Sequence, residues 1–160
     1  MQLIKPANFV GGNDLIKSAE VVNEADPVGR DTNGFIVVAT NAAGAIVKPQ
    51  GLAFFADNNG TGGARTGDGT TVRCCIVRQC KLLNANSTLV PGLGKGKPIY
   101  LAGVPTATTS GLTCTRPSTN TQATVNMGYV GSNGTTLEIN VDPNADLEFQ
   151  TAGNSTLVAA

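Results

Sequence analysis

The side chains with reactive chemistry here are four cysteines and a scatter of carboxylates, in a chain that has no histidine. Three of the thiols crowd into TTVRCCIVRQCKLL as Cys74, Cys75 and Cys80, and the fourth is Cys114. A zinc site is disfavoured, because the spacing is not that of a knuckle and no imidazole can complete a ligand set. Cys74 and Cys80 alternate with Val72, Ile76 and Leu82 along one face of a long strand, interrupted at Arg78. Arg73, Cys75, Val77, Gln79 and Lys81 take the other face. Six residues of strand span about 20 Å at about 3.3 Å each, well beyond the roughly 7 Å between Cα atoms that a disulfide can bridge. Those two cannot pair. A bridge from Cys75 or Cys80 to Cys114 stays open, and buried free thiols are the favoured state for a protein made in the cytosol. Cys75 as a nucleophile would need a cation beside it, and only Arg73 shares its face.

Acid–base chemistry meets the missing histidine first, which removes the usual general base near neutral pH. Paired carboxylates can hydrolyse a glycoside, and Asp57 with Asp68 is the pair whose loop setting invites the idea. Both, however, stand beside Gly or Asn, where aspartates build turns. A phosphate cradle in the same Gly-rich loop lacks GKS or GKT and a following amphipathic helix. Sugar-binding modules use aromatic platforms, whereas Tyr100 and Tyr129 fall in strand patterns and are expected to pack. The expectation is a protein that is not an enzyme and has no cofactor.

The elements that position these residues read as β throughout. Pro98-Ile99-Tyr100-Leu101, Gly111 to Thr115, Val125 to Val130 and Thr136 to Val141 carry strand-favouring residues with Gly or Pro near each boundary, the pattern of an antiparallel meander. Asn133-Gly134 supplies the two positive-φ positions of a tight hairpin turn. Leu137, Ile139 and Val141 then share a core face, and Thr136, Glu138 and Asn140 a wet one. Upstream, Phe35 to Thr40 and Ala45 to Pro49 flank the loop Asn41 to Gly44, and Gly51 to Ala56 leads into Asp57 to Thr71, which is almost pure turn chemistry with five glycines. A loop of that length suits a contact with a neighbouring subunit or a mobile hairpin tip. Residues 1–33 read as an acidic arm or lead-in. Asn13 can cap a short helix with Leu15, Ile16, Ala19 and Val22 on one side, or the segment runs extended, as Val21-Val22 favours. This divides the chain into a lead-in at 1–33, a β-core at 34–143 and a tail at 144–160 that swaps onto a neighbour or frays.

Composition bounds the partners. Charged residues make up 14% of the 160-residue chain and aromatics 4%, with no Trp, so the core is built from Val, Ile, Leu and Ala and gains from association with copies of itself or a larger partner. Formal net charge is zero but unevenly placed: Arg65, Arg73, Arg78, Lys81, Lys95, Lys97 and Arg116 lie around the single acid Asp68, while Glu138, Asp142, Asp146 and Glu148 follow with no base after them. This matches a head-to-tail charge contact as well as ordinary solvated surface. Dispersed bases without aromatic platforms argue against nucleic acid. No run of about 18 apolar residues and no unbroken apolar leader argue against a membrane partner or export.

The strings Gly96-Lys97-Pro98-Ile99-Tyr100-Leu101, Ser110-Gly111-Leu112-Thr113-Cys114-Thr115-Arg116-Pro117, Val125-Asn126-Met127-Gly128-Tyr129-Val130 and Thr136 to Pro143 resemble those of small structural proteins of tailed bacteriophages, in particular capsid decoration or cement proteins. The resemblance covers under a third of the chain and extends to tail and head-fibre components. It implies an all-β protein, an antiparallel sandwich or small barrel of short strands with an extended or partly helical N-terminal arm. The implied protein is made in the host cytoplasm and forms a trimer on the virion surface, where it bridges major capsid protein subunits and strengthens the shell. Candidate capsid or subunit contacts are then Leu3, Ile4 and Phe9 in the arm, whose strand can add to a sheet edge of the capsid protein, and Asp57, Asn58, Asn59, Arg65 and Asp68 in the loop. A carbohydrate-binding β-sandwich is the remaining alternative.

Overall fold

The computed structural model describes residues 2–9, 13–41, 46–55, 63–83, 95–102, 111–117, 122–132, 136–145, 147–151 and 154–158. Among them there is no helix. The strands are β1 (Gln2–Phe9), β2 (Asp14–Leu15), β3 (Val21–Asn23), β4 (Pro27–Arg30), β5 (Ile36–Val38), β6 (Gly51–Phe54), β7 (Ala64–Thr66), β8 (Arg73–Leu83), β9 (Pro98–Leu101), β10 (Leu112–Thr113), β11 (Ala123–Thr124), β12 (Asn126–Val130), β13 (Thr136–Asn140), β14 (Leu147–Thr151) and β15 (Asn154–Val158). The protein is all-β, an antiparallel sheet curled into a half-barrel, as its alternating short apolar runs require.

The organising element is β8. Gln79 to Leu83 pairs with β13, and Cys75 to Val77 pairs with β6. β1 pairs along Val77 to Leu83 and β2 along Arg73 and Cys74. Because β1 and β2 follow one another along one edge of β8, β13 and β6 share the other edge end to end. The sheet therefore forks. One branch runs β8-β13-β12-β9-β10 and the other β8-β6-β4-β5. The second branch curls until Ile16, just past β2, meets Ile36 of β5 in a parallel bridge, with the Lys17 N–H donating to the Ile36 carbonyl at 3.0 Å.

The fork falls at Arg78, and a one-residue slip goes with it. Between Asn8 and Phe9 the β1 pairing steps from Gln79 to Val77, so Arg78 is the extra residue of a bulge. A slip of one residue moves every later side chain to the opposite face. Cys74 and Ile76 accordingly join Ile16, Val22, Ile36, Ala53 and Phe55 in one buried cluster. Val77, Cys80 and Leu82 join Leu52, Ile99, Leu101, Met127, Leu137 and Ile139 in the other. The single face expected for Val72, Cys74, Ile76, Cys80 and Leu82 is thus split between two cores.

Between Asn13 and Val22 the extended alternative is the one found, and the order of the meander changes. The helix over Asn13 to Val22 does not form: Asp14–Leu15 and Val21–Asn23 are strands, and Ile16, Val22, Ala25 and Val28 are buried, so this stretch is part of the fold. The turn Asp31 to Gly34 joins β4 to β5, with the Asp31 carboxylate accepting the N–H groups of Asn33 and Phe35 and Gly34 at φ +87°. The meander is reordered. β12 returns to the far edge of β9 instead of following β10, giving the order β10-β9-β12-β13. The β12–β13 hairpin is present, with Leu137, Ile139 and Val141 buried as expected, and its Asn133-Gly134 turn lies outside the described residues. In the tail, β14 and β15 form a hairpin that joins β11 in a separate three-stranded sheet.

Candidate functional site

Of the residues marked as contacts, Leu3, Ile4 and Phe9 lie in β1, whose backbone pairs with the chain's own β8. Two slips in that pairing make Ile4 and Ala7 extra residues. Bulges and a proline on an edge strand blunt its remaining edge against further pairing. The arm is thus built into this chain's sheet, which is not the free strand that addition to another protein's sheet would need. Asp57, Asn58 and Asn59 lie outside the described residues.

Arg65 and Asp68 lie in the second half of the expected loop, and the structure orders both. Ala64–Thr66 is a strand, β7, pairing with β3 through Val21↔Thr66, Val22↔Arg65 and Asn23↔Ala64. The Arg65 guanidinium stacks 4.2 Å from the centroid of the buried Phe55 ring and donates to the Arg73 carbonyl at 2.8 Å. The Asp68 carboxylate accepts the N–H groups of Thr70, Thr71 and Val72 and the Thr71 hydroxyl. These donors hold its carboxyl well below the usual carboxylate range, the Thr71 hydroxyl first. That is a turn-building aspartate that keeps its charge.

The thiols are set by burial. Cys74 and Cys80 are pushed up to about 12, chiefly by desolvation, and Cys114 is raised for the same reason although the Lys97 ammonium opposes it. None of the four cysteines is in a disulfide, so Cys114 bridges to neither Cys75 nor Cys80. Two acids are buried in the turn between β3 and β4, Glu24 and Asp26. Burial raises the Asp26 carboxyl, against the pull of the Asn23 N–H and side-chain amide at 2.8 and 3.1 Å. Among the described residues no group of three or more His, Cys, Asp or Glu is placed to hold a metal ion.

What the sequence reading misplaced is Tyr129. Counting in twos from Val125 and Met127 puts it in the core, yet it is 53% exposed. The β12 pairing with β9 slips between Asn126 and Gly128, opposite Tyr100 and Ile99, so Met127 is an extra residue and Val130 takes the inward place. The signal was Gly128 inside a strand, which marks a bulge; its N–H donates to the Asn126 side chain at 2.9 Å. On the wet face Tyr129 stands between Pro98 and Glu138, and Glu138 stands opposite Lys81, whose ammonium lies 3.2 Å from it. The result is a surface row across four strands, Pro98-Tyr129-Glu138-Lys81. Val21, also 53% exposed, is the other large apolar side chain at the surface among the described residues.

Comparison with family models, with curated proteins and with solved structures finds no match.

Proposed function

We propose that this chain is a structural virion protein of a tailed bacteriophage. In this reading it binds the outer surface of the capsid as a trimer and stabilises the shell by bridging major capsid subunits. The observation that carries the reading is where the reactive and the adhesive side chains go. The Cys74 and Cys80 thiols are locked in the two cores and Asp68 is engaged by its own turn, whereas Tyr129 stands out on the wet face of the sheet in a row with Pro98, Glu138 and Lys81. Tyrosine is enriched among the residues that dominate protein interfaces. The resemblance of its sequence strings to those of phage structural proteins points the same way, and small contacts repeated by a trimer sum through multivalency.

The test is to add the purified chain to expanded capsids that lack it. Saturable binding and a higher rupture temperature, followed by light scattering on heating, are expected. Absence of binding overturns the proposal, and label found only on tails by electron microscopy replaces it with the tail or fibre reading.

A further inference from the structure

Charge is settled locally over most of the described structure. Asp14 pairs with Arg30, Lys17 lies 3.6 Å from Asp31, and Lys81 lies 3.2 Å from Glu138. The Glu20 carboxylate accepts the Val38 N–H, and Asp26 and Asp68 accept donors from their own turns. Two places differ. Lys95 and Lys97 flank Gly96 in the turn before β9, both exposed and, among the described residues, in no ion pair. At the other place Asp142 is exposed and in no ion pair, its carboxylate accepting only the Asn144 N–H at 2.9 Å, with Asp146 and Glu148 following in sequence.

The β12–β13 hairpin holds these places apart. The Gly96 N–H donates to the Val130 carbonyl and the Val130 N–H to the Lys97 carbonyl, both at 2.8 Å, which seats the lysine turn at the end of β12. β13 starts at that end, where the Gly131 N–H donates to the Thr136 carbonyl, and runs away from it to Val141, which is anchored on Arg78. From Thr136 to Asp142 is about 20 Å at about 3.3 Å per residue. Charges are screened over about 8 Å at physiological ionic strength, so the basic and acidic ends cannot neutralise each other within one molecule.

We propose that copies of this chain associate head to tail, the Lys95–Lys97 end of one copy seating on the Asp142 end of the next. The inference rests on the self-assembly in the reading above. A second copy is the fitting occupant because each chain carries both halves of the contact, and its formal net charge of zero leaves a completed ring neutral. Such a contact is heterologous, and it closes into a ring when the rotation between copies allows.

The test is sedimentation velocity on the full chain at low and high salt. Assembly at low salt is expected, with the association constant falling at least tenfold in high salt. K95E/K97E and D142K should each be monomeric and should melt within a few degrees of wild type, since all three residues are exposed. Mixing the two variants, or combining them in one chain as K95E/K97E/D142K, should restore assembly by swapping the charges. A monomeric wild type at low salt, assembly untouched by K95E/K97E, or a charge swap that fails to rescue overturns the inference. A monomer that still binds capsids overturns this contact and leaves the capsid reading standing; salt-sensitive, charge-swappable assembly without capsid binding does the reverse.

Discussion

The Val141 backbone N–H donates to the Arg78 carbonyl oxygen at 3.0 Å, at the point where β8 leaves β13 and takes up β6. Arg78 is also the extra residue against β1, so one position both forks the sheet and resets the side-chain alternation. Deleting Arg78 restores strict alternation and turns the residues on one side of it away from their cluster. Each large side chain among them loses about 1.5–3 kcal/mol of burial, enough in sum to unfold a domain of marginal stability. Arg78→Ala keeps the bulge and should cost only about 1 kcal/mol. Circular dichroism melts of the two variants check this, and a deletion variant that melts like Arg78→Ala sinks the role given to the bulge.

Most of the strands could be read from the chain because apolar and polar residues alternate in short runs between Gly, Pro and Asn. Leu137, Ile139 and Val141 are buried as their spacing implies. What could not be read were the slips. Alternation gives the face of each residue only until an extra residue intervenes, and the slips at Arg78 and Met127 move Cys80, Leu82 and Tyr129 to faces that counting by twos does not reach. The short strands at Asp14 and Val21 were hidden for another reason. Each is two or three residues long and is held by partners some 40 to 60 residues away, β8 and β7, which no local pattern encodes. The candidate surface was lost with Tyr129, and Arg65 and Asp68, expected in a loop, lie in an ordered strand and turn.

Gly128 should be the least replaceable glycine of the β12–β13 pair. It sits at φ +143°, and a Cβ there would collide with the Glu138 carbonyl oxygen of the facing strand. Gly128→Ala combines backbone strain with that clash and should cost about 1–3 kcal/mol. Gly96, at φ +73° with open space around it, carries the strain alone and should lose about 1 kcal/mol as Ala. Urea midpoints at unchanged m-value measure both; equal losses would show that the close approach to Glu138 is unimportant.

The Asp68 turn makes a pH signature. Its carboxyl is held low by the Thr71 hydroxyl and by three N–H donors, so the folded state favours the charged form. A depressed folded pKa contributes stability above the unfolded value of about 3.9 and loses it as pH falls below that. Wild type should therefore exceed Asp68→Ala in urea midpoint at pH 7, and the gap should narrow steadily below about pH 4. A gap that stays constant down to pH 2 would falsify the charge-based account of this turn.

For Cys74 and Cys80 the sign reverses, because burial raises their folded pKa to about 12. Near pH 8 a thiol of that kind is ionised to only about one part in ten thousand, against roughly a quarter for a free thiol of pKa about 8.5. Alkylation by iodoacetamide at pH 8, read by mass spectrometry, should leave both unmodified in the native protein and label them at the rate the structure opens. A folded thiol pKa above the unfolded value contributes stability below about pH 8.5 that is lost as pH rises toward 12, at about 1.4 kcal/mol per pH unit for each thiol. Alkaline unfolding should thus be steep between pH 9 and 11 and shallower in Cys80→Ala, whose absolute stability at pH 7 is lower from the cavity it leaves. If Cys80→Ala and wild type lose stability in parallel over that range, the thiol is not the group that titrates and the buried placement of Cys80 is wrong.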